Sequence, residues 1–100
     1  MTRFYGLGVC VLGMTLKQYA NLIDKILFCE YAWVCVDTTH VRVFAEQPKL
    51  VKRGRNGWEW VGQAGAYPLM VIRYEEGDLN LEEFRARDGE IDWSMARTRV

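Results

Sequence analysis

The chain has 100 residues, 13 of them basic and 13 acidic, and 50% are hydrophobic. That length suits one domain spanning 1–100 and is short for two, while Leu, Ile, Val and Phe exceed a quarter of the chain, above the ~20% below which disorder is the better expectation. Intrinsic disorder, a collagen-like chain and a repeat array are therefore excluded, and the balanced charge creates no global field drawing the protein onto nucleic acid or an acidic membrane.

Arg3 to Leu12 is rich in β-branched and aromatic residues and poor in charge, which predicts an interior strand. Gly6 and Gly8 alternate with Tyr5, Leu7 and Val9, leaving one face bare for the close approach of a helix. The apolar stretch from Phe4 to Met14 is shorter than the ~20 residues of a bilayer span. Its glycines, and the lack of a small-residue cleavage site after it, argue against a signal peptide. Cys10, Cys29 and Cys35 are too few for a secreted disulfide scaffold, so free thiols and a reducing, cytoplasmic setting are expected.

Thr15 followed by Gln18 resembles a capping box, placing a helix start at Leu16. Leu16, Tyr19, Ala20, Ile23, Ile26 and Leu27 recur at helical spacing, with Lys17, Asn21, Asp24 and Lys25 on the other side, and the pattern runs to Glu30. The period then changes to two. Trp33–Asp37 and His40–Glu46 read as a hairpin around Thr38–Thr39 in which Val36 faces Val41, Cys35 faces Arg42 and Val34 faces Val43. One face holds Val34, Val36, Val41, Val43 and Ala45, and the valines mark it as the core side. The other holds Trp33, Cys35, Asp37, His40, Arg42 and Phe44.

After Pro48, Lys49–Arg53 and Trp58–Gly62 flank Asn56–Gly57, a strong signal for a two-residue type I′ turn. That turn would pair Arg55 with Trp58 and Arg53 with Trp60, opposite a face of Leu50, Lys52, Glu59 and Val61. Neither face is cleanly apolar, so 49–62 is expected to project as a ribbon. Gly62–Tyr67 is a loop. Leu69–Glu75 returns as a strand with Met70, Ile72 and Tyr74 on one side and Val71 and Arg73 on the other.

Asn80 with Glu83 would cap a helix over Leu81–Arg87, and the acids at its start and arginines at its end suit the helix dipole. The competing arrangement is a hairpin turning at Asp88–Gly89. Residues 96–100 are expected to form a tail that is frayed or ordered by a partner. The fold expected is α+β: an antiparallel, meander-like sheet of five or six strands with the Leu16–Glu30 helix on its valine face. A ferredoxin-like core elaborated by the 49–62 hairpin is the alternative.

Enzymatic parts are sparse: one histidine, one serine (Ser94), and no glycine-rich phosphate loop of the required spacing. Cys35, Asp37 and His40 share a face beside Arg42, the only grouping in which a thiolate could be populated by a neighbouring base or charge. No oxyanion device accompanies it, and the chain is read as non-catalytic. Cys10, Cys29, Cys35 and His40 lack zinc-knuckle spacing, so no metal or other cofactor is expected.

The remaining signals concern binding. Lys49, Lys52, Arg53 and Arg55 lie across the turn from Trp58 and Trp60, a cationic and aromatic combination on which single-stranded nucleic acid stacks. Trp and Arg are also over-represented in protein–protein hot spots, and Trp33, Arg42, Phe44, Arg53, Arg55, Trp58 and Trp60 form the expected contact set. Glu75, Glu76, Asp78, Glu82 and Glu83 form a competing acidic surface. Trp33 and Phe44 would be covered by the last segment with Trp93, or by a homodimer packing sheet against sheet. An exposed sheet edge offers a further route to a partner. The leading expectation is a protein-binding domain in the style of a small phage-type inhibitor of a host protein or complex. Single-stranded nucleic-acid binding through 49–62 is second.

Overall fold

In the computed structural model, residues 13–27 and 31–100 are described, and they form one α-helix and six β-strands of the α+β class. The predicted strand Arg3–Leu12, with Cys10, and the 28–30 end of the predicted helix, with Cys29, lie outside the described residues.

Helix α1 (Leu16–Leu27) starts where the capping box places it. The Thr15 N–H donates to Gln18 Oε1 at 3.0 Å, and the Gln18 N–H donates to Thr15 Oγ1 at 3.2 Å. Two amides without intrahelical partners are thereby satisfied reciprocally. Strands β1 (Trp33–Val36) and β2 (His40–Phe44) pair in the register read from the valines: Val34↔Val43, Cys35↔Arg42 and Val36↔Val41. Strand β5 (Met70–Arg73) joins β2, and β6 (Arg97–Arg99) joins β1, giving an antiparallel sheet of order β5-β2-β1-β6.

The helix lies on the valine face. Leu16, Tyr19, Ala20 and Ile23 pack with Val34, Val36, Val41, Val43, Leu79, Phe84 and Ala96 in the larger core, and Met70, Ile72 and Tyr74, expected to share one side, lie together at its margin. Ala45 departs from that face. Strand β2 ends at Phe44, so the alternation no longer governs Ala45, which is exposed.

Strands β3 (Lys49–Arg53) and β4 (Gly57–Val61) form a separate two-stranded sheet. Its register corrects the expectation: Leu50 pairs with Trp60, Lys52 with Trp58 and Arg53 with Gly57. The turn is Gly54–Arg55–Asn56, with Gly54 at φ +67°. Gly57 lacks the positive φ that a type I′ turn at Asn56–Gly57 demands. The new register also brings Leu50 and Trp60 to one face, where they pack with Cys35 and Phe44 in a second small core beside Trp33. Burial of Trp60, at 2% exposure, favours this pairing over the local turn preference and lays the ribbon on the sheet instead of projecting it.

The last quarter differs most from expectation. In place of a helix over Leu81–Arg87 there is one 3-10 turn, Glu82–Phe84. Arg85 then bridges Ile91 around a tight turn with Gly89 at φ +88°. Ala86 N–H donates to Glu90 C=O at 2.8 Å, so the Asp88–Gly89 hairpin is the arrangement adopted. Residues 97–99 form β6, paired within the chain to β1, where a frayed or partner-ordered tail was expected. Trp93 joins the larger core, and the ribbon covers Phe44 in its place.

Candidate functional site

Asp37 is fully buried at the end of β1, and its carboxylate is saturated with donors. Oδ1 accepts the N–H groups of Thr39 (3.1 Å) and His40 (2.9 Å). Oδ2 accepts Arg42 Nε–H (2.7 Å) and the Trp60 N–H (3.1 Å). The Asp37 backbone carbonyl receives the Tyr74 hydroxyl at 2.6 Å. One residue thus ties the β1–β2 turn, the ribbon and the end of β5 together. Of the residues that share this face, it is Arg42, and not His40, whose side chain pairs with the Asp37 carboxylate. His40 Nδ1 instead meets the Thr39 hydroxyl at 2.6 Å and Arg42 Nη2 at 3.3 Å.

Cys35 shares this face but is sealed beneath the ribbon, with no exposure. Burial pushes its thiol up to about 12; the Asp37 carboxylate adds to the shift, and the Arg97 guanidinium opposes it. A protonated, inaccessible thiol beside a carboxylate occupied by four donors is a structural arrangement, and the grouping of Cys35, Asp37 and His40 has no nucleophile at neutral pH. Among the described residues, no three His, Cys, Asp or Glu side chains gather as metal ligands.

The expected contact set divides. Phe44 and Trp60 are each 2% exposed, and Arg42 is committed to Asp37. Arg53 and Arg55 are exposed on the ribbon, where Arg53 lies 3.5 Å from Glu59. Trp58 is half-buried, with Lys52 Nζ 4.8 Å from its ring centre. Lys49 is exposed on the opposite ribbon face. The acidic surface breaks up as well. Asp78 is buried and accepts the Glu75 N–H at 2.8 Å, and Glu82 is engaged by Arg85 at 2.7 Å.

Three residues absent from the expected set complete the surface. Strand β6 places Arg99 opposite Trp33 and Arg97 opposite Cys35. The Arg97 guanidinium lies 5.7 Å from the Trp33 ring and 5.8 Å from the Trp60 ring. That of Arg99 lies 5.5 Å from Trp33 and 5.4 Å from Tyr31, which is 65% exposed. Both arginines are exposed, and among the described residues neither has a carboxylate partner. Each stack contributes about 0.5–1 kcal/mol at an exposed site and holds the cation in place. The available sequence signal was the period-two run Arg97-Thr98-Arg99-Val100. A three-residue strand whose partner is some 66 positions away carries no local mark of its pairing.

Compared with protein-family models, curated protein sequences and solved structures, the chain matches none of them.

Proposed function

We propose that this chain is a non-catalytic protein-binding module whose contact surface is the basic and aromatic face formed by Arg97, Arg99, Trp33 and Tyr31, extended by Lys52 and Trp58. The observation that supports this reading is the pair of exposed arginines stacked on Trp33 without carboxylate partners among the described residues. Arginine and tryptophan provide a large share of binding energy at protein interfaces, and a guanidinium held on a ring loses less freedom on meeting a carboxylate. The exposed apolar residues Tyr67, Leu69 and Val71 near the other sheet edge also suit a protein partner. The mode of action is blocking by occupancy, as in a small phage-type inhibitor of a host protein.

Nucleic-acid stacking through the ribbon has less support. Of its two tryptophans, Trp60 is buried, and the half-buried Trp58 has Lys52 over one face of its ring, which leaves little aromatic surface for successive bases. A tagged pull-down from a lysate of the source cell, with and without nuclease, tests the choice. A discrete protein retained after nuclease and lost in Arg97→Glu/Arg99→Glu is expected. Recovery of nucleic acid, with every protein released by nuclease, would overturn the reading.

A further inference from the structure

We infer that the outer edge of β6 takes up an extended acidic segment of the partner as an added strand, with carboxylates at alternate positions meeting Arg97 and Arg99; this deepens, and rests on, the protein-binding reading. Strand β6 is outermost in the four-stranded sheet, and among the described residues no strand pairs with its outer side. Its bonds to the β1 side run through its flanking residues: Val36 N–H donates to Ala96 C=O at 2.8 Å, and Val100 N–H donates to Ala32 C=O at 3.0 Å. Antiparallel alternation therefore directs the N–H and C=O groups of Arg97 and Arg99 away from β1, towards an incoming chain. Edge pairing of this kind draws affinity from the main chain and selectivity from alternate side chains.

The side chains fit that mode on both faces. Arg97 and Arg99 are two residues apart, roughly 7 Å along the strand, which is also the spacing of alternate side chains on an added strand. Both guanidinium groups lie over Trp33, so their positions are set before a partner arrives. On the helix side of the same edge, a groove of about 260 Å³ has an apolar floor of Leu16, Phe84 and Met95, the last 58% exposed, and is rimmed by Lys17, Glu83, Arg97 and Thr98. It would receive the apolar side chain lying between two carboxylates. A second copy of this chain is the poorer occupant. Pairing two β6 edges would set arginine against arginine, and like charges directly opposed on neighbouring strands are destabilising.

The test is fluorescence anisotropy of the whole chain with a labelled ten-residue peptide alternating Glu and Val. Two further versions of the peptide are N-methylated, one at every Glu and the other at every Val. Successive N–H groups of a strand point to opposite edges, so strand addition predicts that one methylated peptide loses binding while the other keeps it. The unmodified peptide should bind about tenfold or more weakly to Arg97→Glu/Arg99→Glu. In the unaltered protein, amide exchange at Arg97 and Arg99 should slow on binding, while that of Thr98 should not change. Equal binding of both methylated peptides would reduce the contact to charge alone and overturn strand addition. So would absence of peptide binding, or an oligothymidylate that binds these arginines where the peptide does not. If the peptide fails while a lysate protein is still lost in Arg97→Glu/Arg99→Glu, strand addition falls and the protein-binding reading stands.

Discussion

Asp37 and Trp60 are joined across the two sheets: the Trp60 N–H donates to Asp37 Oδ2 at 3.1 Å, and one residue before Asp37 the Val36 carbonyl accepts the Trp60 indole N–H at 2.9 Å. Together these bonds seat the ribbon on the sheet and close the second core over Cys35 and Phe44. The binding face depends on that seating, because Arg97 stacks on Trp60 as well as on Trp33.

Removing the carboxylate should therefore be costly. Asp37→Ala leaves Arg42, whose side chain is 16% exposed, without its charge partner, and strips acceptors from three backbone amides. Breaking one side of a buried ion pair costs about 3–5 kcal/mol. Urea denaturation followed by tryptophan fluorescence should show a loss of that size. A change under 1 kcal/mol, on the order of a surface substitution, would show that the network contributes little.

Trp60 separates ring packing from hydrogen bonding. Trp60→Ala should cost about 3–5 kcal/mol, as expected for a large aromatic deleted from a core. Trp60→Phe keeps much of the apolar contact and removes the indole donor, so its cost should be nearer 1–2 kcal/mol, on the order of one unmade buried hydrogen bond. Equal losses in the two variants would show that the ring volume contributes nothing beyond the hydrogen bond.

The thiol gives a pH signature. Cys35 rises from its ordinary 9.0 to about 12, and burial likewise moves Tyr19 from 10.0 to about 12. Above pH 9 the unfolded chain releases the Cys35 proton while the folded protein keeps it, so the unfolded state binds fewer protons and stability falls as pH rises. This contribution is fully present below pH 9 and is lost towards pH 12. Cys35→Ala should flatten the stability profile between pH 9 and 10, before the tyrosine contributes. In the folded protein, the peptide carrying Cys35 should resist iodoacetamide at neutral pH and react only on unfolding. Rapid labelling under native conditions would contradict its burial.

At the ribbon turn, a methyl group on Gly57 would overlap the Arg53 carbonyl oxygen, with the Arg53 side chain close behind. Gly57→Ala should loosen the β3–β4 register and lower the melting temperature more than Gly54→Ala. At Gly54 the surroundings are open, and the penalty is that of a positive φ, about 1–2 kcal/mol for a non-glycine residue. Thermal melts of the two variants compare them directly, and the reverse order would mean that a small backbone shift relieves the approach of residue 57 to Arg53.

Legibility in the sequence followed the range of the forces involved. The capping box at Thr15 and Gln18 and the four valines of the first hairpin are local patterns, and each predicted its element and register. The ribbon register was misread because Asn56–Gly57 is a strong local signal, whereas the burial of Trp60 beneath Val36 and Asp37 is a tertiary effect. The same effect took Trp60 and Phe44 out of the expected contact set. Strand β6 was missed because pairing Arg99 with Trp33 joins distant parts of the chain. With it went the two arginines that now define the candidate surface.

The central claim, that the protein is a binder acting through β6, is tested most directly by comparing capture of its nuclease-resistant partner by three proteins of verified fold: the unaltered chain, Arg97→Glu/Arg99→Glu and Lys52→Glu/Arg55→Glu. The prediction is that charge reversal on β6 abolishes capture while reversal on the ribbon weakens it only in part. Undiminished capture by Arg97→Glu/Arg99→Glu, with loss in Lys52→Glu/Arg55→Glu, would contradict the claim and move the contact to the ribbon.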